Sequence, residues 1–320
     1  MSNQSLEDLE RESLLSDNDI LDIVLDAEQQ MSEALEDVVA GLINPLIIKG
    51  PPGVGKTEAV KIATRQAGIK STDYLASVWS KPSEDDLKAG TPTYPYNCDQ
   101  LVRVDGALIR GSDYSKWALA ADLYANRNEG ILCLDDNDTI LKDKDAVSMI
   151  MQATEQSTDR SVKYTKANST HELQMYGVEP TFHVSTPLII LTNLDMKMMI
   201  AVATADKKKP PPDHITRWSA LVSRGTYIDL KMNSPRSVRV YCEHKINQVN
   251  MLTHSKWLEE KFGRSLTKQE SADCMKWIRH NQGKLADPLD LRTYNKVAGI
   301  MINRAKTWEQ SAKVRFLKAV

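Results

Sequence analysis

The sequence predicts an α/β protein with a parallel five-stranded sheet flanked by helices, followed by a small all-helical domain. Three observations lead to this prediction. Short apolar runs alternate with helix-forming segments up to residue 230, an order typical of parallel sheets with helices on both faces. A glycine-rich loop stands between the first apolar run and the helix that follows it. From residue 231 onward the pattern is wholly helical, and glycines separate the predicted helices.

Apolar periodicity places the elements in order along the chain. Residues 6–42 have apolar side chains at helical spacing, which predicts two amphipathic helices before the first strand. Five apolar runs have the character of buried strands: 46–48, 74–78, 131–136, 187–193 and 225–230. Helices are predicted between them at 58–67, 116–130 and 146–157, and a hairpin from 161–166 and 181–186. Residues 80–115 form a long polar connection, and connections of this length tend to carry function.

The same patterns divide the chain into three segments. We predict an acidic helical segment at 1–42, an α/β domain at 43–230 and an α-helical domain at 231–320. A chain of 320 residues with 41% hydrophobic residues is long enough to build a large core and a second, smaller one.

Charge is balanced overall but not along the chain. The sequence has 41 Lys plus Arg against 43 Asp plus Glu. Residues 1–37 carry 12 acidic side chains and one basic, whereas residues 231–320 carry 18 basic and 8 acidic. One interpretation is that the basic region meets an acidic surface, either a neighbouring subunit's N-terminal arm or a nucleic acid backbone. The other is that both are solvated helical faces.

The cysteines and the hydropathy of the sequence indicate the cellular compartment in which the protein is expected. The four cysteines, at positions 98, 133, 242 and 274, show no C-x-x-C spacing and are expected to be free thiols in a reducing compartment. No apolar run reaches the ~18 residues of a membrane span, and the acidic N-terminus does not resemble a signal peptide. We therefore expect a cytoplasmic protein without a membrane partner.

The glycine-rich loop predicts a nucleotide site. It fits the G-x-x-x-x-G-K-[ST] spacing through the residues Gly50, Pro51, Pro52, Gly53, Val54, Gly55, Lys56 and Thr57, with Glu58 opening the helix that follows. The glycines let backbone N–H groups point at phosphate oxygens, and the helix directs its positive end at the anion. Lys56 is expected to reach the terminal phosphates of ATP, and Thr57 to ligate Mg²⁺. The alternative is a strand-to-helix turn without a ligand.

Polar side chains follow two of the predicted strands at their carboxyl ends. "ILCLDD" ends in Asp135 and Asp136, and "PLIILTN" ends in Thr192 and Asn193. Ligands of open α/β sheets bind at this edge. Asp135 is the candidate to hold magnesium and Asp136 to orient or deprotonate the attacking water, while Thr192 or Asn193 hydrogen-bonds that water or the γ-phosphate. The alternative is that the carboxylates cap the loop and Asn193 makes a turn.

These motifs in this order resemble those of the AAA+ ATPases. "GPPGVGKT" is similar to Walker A, "ILCLDD" to Walker B and "LIILTN" to the sensor-one strand. "ITRWSALVSRGTYIDL" resembles the family's box ending in Ser-Arg, which implies that Arg224 is the arginine finger, with Arg217 in reserve. "DPLDLRTYNKV" is similar to the sensor-two helix of the lid and implies a phosphate contact from Arg292, with Arg236 as rival.

Within the superfamily, the chain looks most like the single-module ATPases encoded by bacteriophages. That resemblance rests on the run 123–147 together with "PTFHVSTPLIILTNLDM" and "ALVSRGTYIDL". It implies a homo-oligomeric ring, usually a hexamer, with magnesium as cofactor, working in the host cytoplasm. It implies no substrate.

One residue departs from the family pattern. Most relatives carry Asp-Glu in Walker B, whereas this chain has Asp135-Asp136. An aspartate reaches ~1.5 Å less far than a glutamate, and a misplacement on the order of 1 Å can cost ~100-fold in rate. Slow hydrolysis is therefore one expectation, and compensation by the backbone is the other.

Three functions remain open from the sequence. The first is an ATP-hydrolysing ring that remodels a protein or nucleic acid, gripping it through aromatic residues near Trp79, Tyr94 and Tyr96 or in the insertion 164–176. The second is a DNA replication or loading factor whose basic lid, including "KWIRHNQGK", binds DNA. The third is an assembly switch that binds ATP and hydrolyses it slowly, motivated by Asp136.

Overall fold

Strands and helices alternate up to residue 229, and helices alone follow. The computed structural model describes residues 11–69, 72–75, 107–110, 116–128, 130–157, 160–164, 178–205 and 210–318. The strands are β1 Leu46–Lys49, β2 Thr72–Leu75, β3 Ala107–Arg110, β4 Leu132–Asp135, β5 Ser161–Lys163, β6 Thr181–His183, β7 Leu188–Thr192 and β8 Thr226–Asp229. The helices are α1 Asp17–Val39, α2 Lys56–Gln66, α3 Lys116–Ala125, α4 Lys144–Ala153, α5 Met196–Ala205, α6 Asp213–Arg224, α7 Pro235–Gln248, α8 Lys256–Phe262, α9 Lys268–Asn281, α10 Leu291–Asn303 and α11 Trp308–Phe316.

Six of the strands form one parallel sheet in the order β2-β3-β4-β7-β1-β8. β1 is paired on both sides, with Leu46 opposite Ile189 of β7 and Thr226 of β8. β1, β4 and β7 are buried along their whole length, which explains why they appear in the sequence as unbroken apolar runs. The predicted parallel sheet flanked by helices is confirmed.

The predicted number of strands was wrong, because the described residues form a sheet of six strands and not five. The additional strand, β3, lies in the stretch that the sequence analysis treated as a connection. Its four residues are too few to show a period. Backbone pairing to β2 on one side and β4 on the other defines it as a strand. The predicted hairpin is confirmed, since β5 and β6 pair in antiparallel fashion.

The core of the α/β part is centred on the sheet and on helix α6. Trp218 of α6 is fully buried, and its indole N–H donates to the carbonyl of Leu141 at 2.6 Å. Three of the cysteines, Cys133, Cys242 and Cys274, are buried free thiols, as the sequence predicts. Within the described ranges, no helix combines the length and apolar character that crossing a bilayer requires.

Two compact units account for the chain. One comprises Gln29–Lys49 and Lys56–Asp229 and contains both sheets. The other comprises the residues up to Glu28, the loop Gly50–Gly55 and the helical region from Leu230 onward. The predicted segments 1–42, 43–230 and 231–320 stay predictions.

Acidic residues near the N-terminus pair with α7 inside the helical unit. Asp17 accepts from Arg236 at 2.7 Å and from Arg239 at 2.8 Å, and Glu28 pairs with Lys245 at 2.7 Å. The hydrogen bond from Arg239, and to a lesser extent that from Arg236, holds the pKa of Asp17 below its usual value against the opposing effect of burial. Some of the acidic residues near the N-terminus and the basic residues after 230 therefore form ion pairs with each other within one chain.

Candidate nucleotide site

The loop after β1 has the backbone that a phosphate-binding turn requires. Gly53 and Gly55 adopt positive φ angles of 71° and 101°, which glycine reaches without strain. Within the helical unit, a Cβ added at Gly53 would lie 2.7 Å from the Cβ of Asp290. Both conformation and space therefore require glycine at position 53. Val54 is buried, whereas Pro52 and Gly55 are exposed.

Helix α2 begins at the loop and directs its first two side chains at the sheet edge. Lys56 is only 5% exposed, and its Nζ donates to Oδ1 of Asn193 at 3.0 Å. The hydroxyl of Thr57 donates to Oδ2 of Asp135 at 2.7 Å. The first two residues of the helix thus contact the ends of β7 and β4, as expected for residues at the carboxyl edge of a parallel sheet.

Two opposing effects act on the pKa of Lys56, namely burial and the charge of nearby carboxylates. Burial lowers the pKa of Lys56, and the nearby carboxylates of Asp136, Asp135 and Asp138 partly oppose that effect. A buried ammonium beside several carboxylates is a perturbed group of the kind that clusters at functional sites.

Asp136 stands directly after β4 in a left-handed conformation. Its φ is 56°, one of three positive values among the described non-glycine residues. Nδ2 of Asn193 donates to its Oδ1 at 3.1 Å. Asn193 therefore bridges Lys56 and Asp136, accepting from one and donating to the other. Asp136 is exposed, so its carboxylate remains open to solvent.

Thr192 has a structural contact that the sequence does not disclose. Its hydroxyl donates to Oδ1 of Asp138 at 2.5 Å and accepts from the Leu194 amide at 3.0 Å, and its side chain is fully buried. Of the two residues proposed to face the attacking water, Asn193 is the one whose amide reaches Asp136.

The residues present suit a magnesium ion held jointly with phosphate. Among the described residues there is no group of three or more His, Cys, Asp and Glu side chains arranged as a metal site. Mg²⁺ in nucleotide sites needs only one or two protein ligands, because phosphate oxygens and waters complete its octahedron. The adjacent Thr57 hydroxyl and Asp135 carboxylate provide that donor set.

The candidate arginines occupy different surroundings. Arg224, the last residue of α6, donates to Oε2 of Glu155 at 3.1 Å and to the carbonyl of Met151 at 3.3 Å. Arg236 is engaged by Asp17 and by the carbonyl of Leu15. Arg292 lies exposed, two residues after the Asp290 that approaches Gly53.

Sequence reasoning missed several partners of these residues. Asp138 and Glu155 are ordinary acidic positions in the sequence, and only the fold brings them to Thr192 and Arg224. Lys49, the last residue of β1, is 8% exposed and pairs with Asp195 at 3.1 Å and Asp229 at 3.2 Å. The sequence did contain a signal for these ion pairs, because a lysine at the end of a buried strand needs acidic partners. Trp79, Tyr94, Tyr96 and residues 165–176 of the predicted insertion 164–176 lie outside the described residues.

Comparison with known proteins finds distant relatives. No protein-family model matches the chain. An uncharacterized 36.7 kDa protein of Enterobacteria phage T4, encoded in the nrdC-mobD intergenic region, is 22% identical over 275 residues, covering 86% of this chain and 69% of the phage protein. The cell cycle checkpoint protein RAD17 is 26% identical over 113 residues in Mus musculus and 31% over 83 residues in Homo sapiens. These matches span 16% and 12% of the RAD17 chains.

Solved structures show a loose likeness. A DNA replication initiation factor is 15% identical with a TM-score of 0.39, and AMPPCP-bound DnaA from Aquifex aeolicus is 14% identical with a TM-score of 0.40. The chain spans 63% of each of those proteins, and the matches cover 90% of this chain. The assignment of the fold rests on the chain's own motifs and sheet order.

The glycine-rich loop, the parallel sheet and the polar groups at its carboxyl edge bring together the elements at which ligands of open parallel α/β sheets bind. The predicted resemblance to phage-encoded proteins agrees with the similarity to the phage T4 protein, which extends over most of both chains.

Proposed function

We propose that this protein binds ATP with Mg²⁺, hydrolyses it, and works as an oligomeric ring that remodels a protein or nucleic acid partner. One observation carries the proposal: Lys56 and Thr57 at the start of α2 contact Asn193 and Asp135 at the sheet edge, at 3.0 and 2.7 Å. A strand-to-helix turn without a ligand has no need of a buried lysine, because an ammonium group is costly to bury.

Each residue has a chemical task in this proposal. The backbone N–H groups of Gly50, Gly53, Val54 and Gly55 cradle the phosphates, together with the loop residues Pro51 and Pro52 and with Glu58 in the first turn of α2. Lys56 neutralises charge on the β- and γ-phosphates. Thr57 and Asp135 hold Mg²⁺, Asp135 through water. When bound, Mg²⁺ supplies Lewis-acid stabilisation of the phosphate oxygens.

Asn193 links recognition of phosphate to the attacking water. In the structure the Lys56 ammonium donates to the side-chain carbonyl of Asn193, and the side-chain amide of Asn193 donates to the Asp136 carboxylate. When Lys56 turns to phosphate, the Asn193 side chain becomes available to hydrogen-bond the γ-phosphate or the water. Asp136 then orients that water and accepts its proton. Arg292 is proposed to contact the phosphates from the lid.

Arg224 is proposed to act on the nucleotide of a neighbouring subunit. Mixing Lys56→Ala with Arg224→Ala subunits tests this directly, because each interface that joins an intact Lys56 to an intact Arg224 is complete. We expect both variants to be inactive alone, and a 1:1 mixture to recover turnover at about one interface in four. Arg217→Ala, the reserve candidate on the same helix, is the control and should stay active. Failure of the mixture to recover activity would contradict action between subunits.

The ATPase itself is tested by steady-state turnover of the full chain. The chain is assayed alone and with single-stranded DNA, double-stranded DNA or an unfolded protein. We expect magnesium-dependent turnover that one additive raises, and that additive identifies the partner class. Absence of magnesium-dependent turnover under all four conditions, with ATP bound, contradicts the hydrolytic part of the proposal.

A slowly hydrolysing assembly switch is the second candidate, and the geometry of Asp136 favours it. The residue is an aspartate in a left-handed conformation and is hydrogen-bonded to Asn193. Asp136→Asn separates the two functions, because it keeps the shape of the side chain and removes the base. A catalytic Asp136 predicts a loss of turnover by about 100-fold or more with ATP binding retained. A switch predicts unchanged ATP-dependent assembly, measured by light scattering, with low turnover in both proteins.

A further inference from the structure

The helical unit contains a cavity of about 680 Å³ that shares no residue with the nucleotide site. It is lined by residues from the end of α9, the turn that follows it, and α11. The lining includes Trp277, His280, Lys284, Glu309, Lys313 and Lys318. A volume of this size suits a ligand of nucleotide dimensions. The α9 contribution coincides with "KWIRHNQGK", the basic and aromatic motif noted in the sequence.

Backbone hydrogen bonds hold two of the cavity's lysines side by side. The amide of Lys318 donates to the carbonyl of Lys284 at 2.9 Å, and the residues next to them form an antiparallel bridge. Like charges on directly paired strands repel one another. Lys313 lines the same cavity, so three ammonium groups share it with one carboxylate, that of Glu309. The fold therefore maintains an excess of positive charge at a fixed place.

The three lysines of the cavity are not engaged in ion pairs with other described residues. In the part of the chain that the structure describes, Lys284, Lys313 and Lys318 form no salt bridge. Arg279, near the end of α9, behaves differently, because its guanidinium pairs with Glu243 at 2.6 Å. The lysines are thus available to an anion, whereas Arg279 is used within the fold.

A buried donor in the same lining also lacks an acceptor. Trp277 is 7% exposed, and its Nε1 has no hydrogen-bond partner among the described residues. Buried polar groups are nearly always hydrogen-bonded, and an indole N–H can only donate. The Trp277 ring also packs edge to face against the half-buried Trp308, with centroids 6.2 Å apart. The cavity therefore combines positive charge with the Trp277 ring, which a second aromatic ring supports.

We propose that this cavity binds single-stranded nucleic acid. Lys284, Lys313 and Lys318 contact phosphates of the strand, and a base turned into the cavity packs against the part of the Trp277 ring that lines it. A single strand can turn its bases outward, whereas a duplex keeps them stacked and out of reach of a recessed aromatic ring. The inference rests on the proposed function for the work done on the strand, but the binding itself uses no residue of the nucleotide site.

The test is fluorescence anisotropy of a labelled oligo(dT) of about 16 nucleotides, a length within the range of single-strand sites, with the full chain. Lys284→Ala/Lys313→Ala is compared with Lys268→Ala/Lys276→Ala, which removes the same charge from α9 outside the cavity. We expect the cavity variant to bind on the order of tenfold more weakly and to lose about 1.4 from the slope of log K against log salt. The control variant should keep most of the affinity.

Trp277→Phe examines the tryptophan separately. Phenylalanine keeps an aromatic ring but is smaller and lacks the N–H, so we expect weaker binding with an unchanged salt slope. Because Trp277 is 7% exposed, the smaller ring is also expected to lower the melting temperature. Equal binding by the cavity and control variants overturns the proposal, as does equal or tighter binding of a duplex of the same length. Full competition by inorganic phosphate at equal phosphate concentration also overturns it, since it would indicate a small-anion site.

Failure of this inference is distinguishable from failure of the proposed function. Turnover of ATP is measured on the same variants without nucleic acid, and the cavity variant is expected to match the unmodified chain. Strand binding without turnover overturns the ATPase alone. Turnover with equal strand binding by both double variants overturns the cavity proposal alone.

Discussion

Replacing Lys56 with alanine is expected to reduce steady-state ATP turnover by about 100- to 1,000-fold, the effect of removing one preorganised charge from a developing transition state. Lys56 is 5% exposed and already faces Asn193 at the sheet edge, so its ammonium is positioned before any ligand binds. Once Lys56 has turned from Asn193 to the phosphates, its ammonium is in place before the transition state and stabilises the charge that develops there. Turnover is measured by phosphate release with saturating ATP and Mg²⁺.

The variant also has an expected effect on the nearby side chains. Without Lys56, the Asn193 carbonyl and the Asp136 carboxylate lose their cationic neighbour, and like charges among Asp135, Asp136 and Asp138 are no longer offset. Lys142→Ala, an exposed lysine after the same carboxylate run, is the matched control and should retain turnover. Comparable losses in the two variants would show that Lys56 has no special place in the reaction. Equal turnover in Lys56→Ala and the unmodified chain would refute the assignment of the loop.

The sequence was sufficient to predict the elements that carry strong local signals. The phosphate loop is specified by its own spacing, and β4 and β7 are unbroken apolar runs because they are buried on both faces. Polar residues at the ends of those runs had to meet at one edge, because all strands of the sheet are parallel. The contacts Lys56–Asn193 and Thr57–Asp135 agree with that expectation.

Features that depend on tertiary pairing were not predictable in the same way. β3 has four residues and no period, and its strand character comes from its neighbours. Arg236 was the rival of Arg292 for the sensor-two position, and the helical unit pairs it with Asp17, more than 200 positions away. The left-handed backbone of Asp136 follows from the turn after β4, which no side-chain pattern reports. Local signals identify elements, and long-range partners decide which of several similar residues is available.

Replacing Trp218 with alanine is expected to destabilise the α/β unit by about 3–5 kcal/mol. The side chain is fully buried in α6, and its indole N–H donates to the Leu141 carbonyl at 2.6 Å. Alanine would leave a cavity in the core and a buried carbonyl without its donor, and the two costs add. The free energy of unfolding is measured by urea denaturation followed by far-UV circular dichroism.

Trp218→Phe separates packing from hydrogen bonding, and an exposed tryptophan provides the control. Phenylalanine fills most of the volume and lacks the N–H, so its cost should fall to about 1–3 kcal/mol. Trp257, which is 41% exposed, should lose no more than about 1 kcal/mol on replacement by alanine. If Trp218→Ala and Trp257→Ala cost the same, Trp218 is not a core residue. A loss of stability in Trp218→Ala but not in Trp257→Ala would show that Trp218 holds α6, the helix that carries Arg224, against the 3-10 turn Ile140–Lys142.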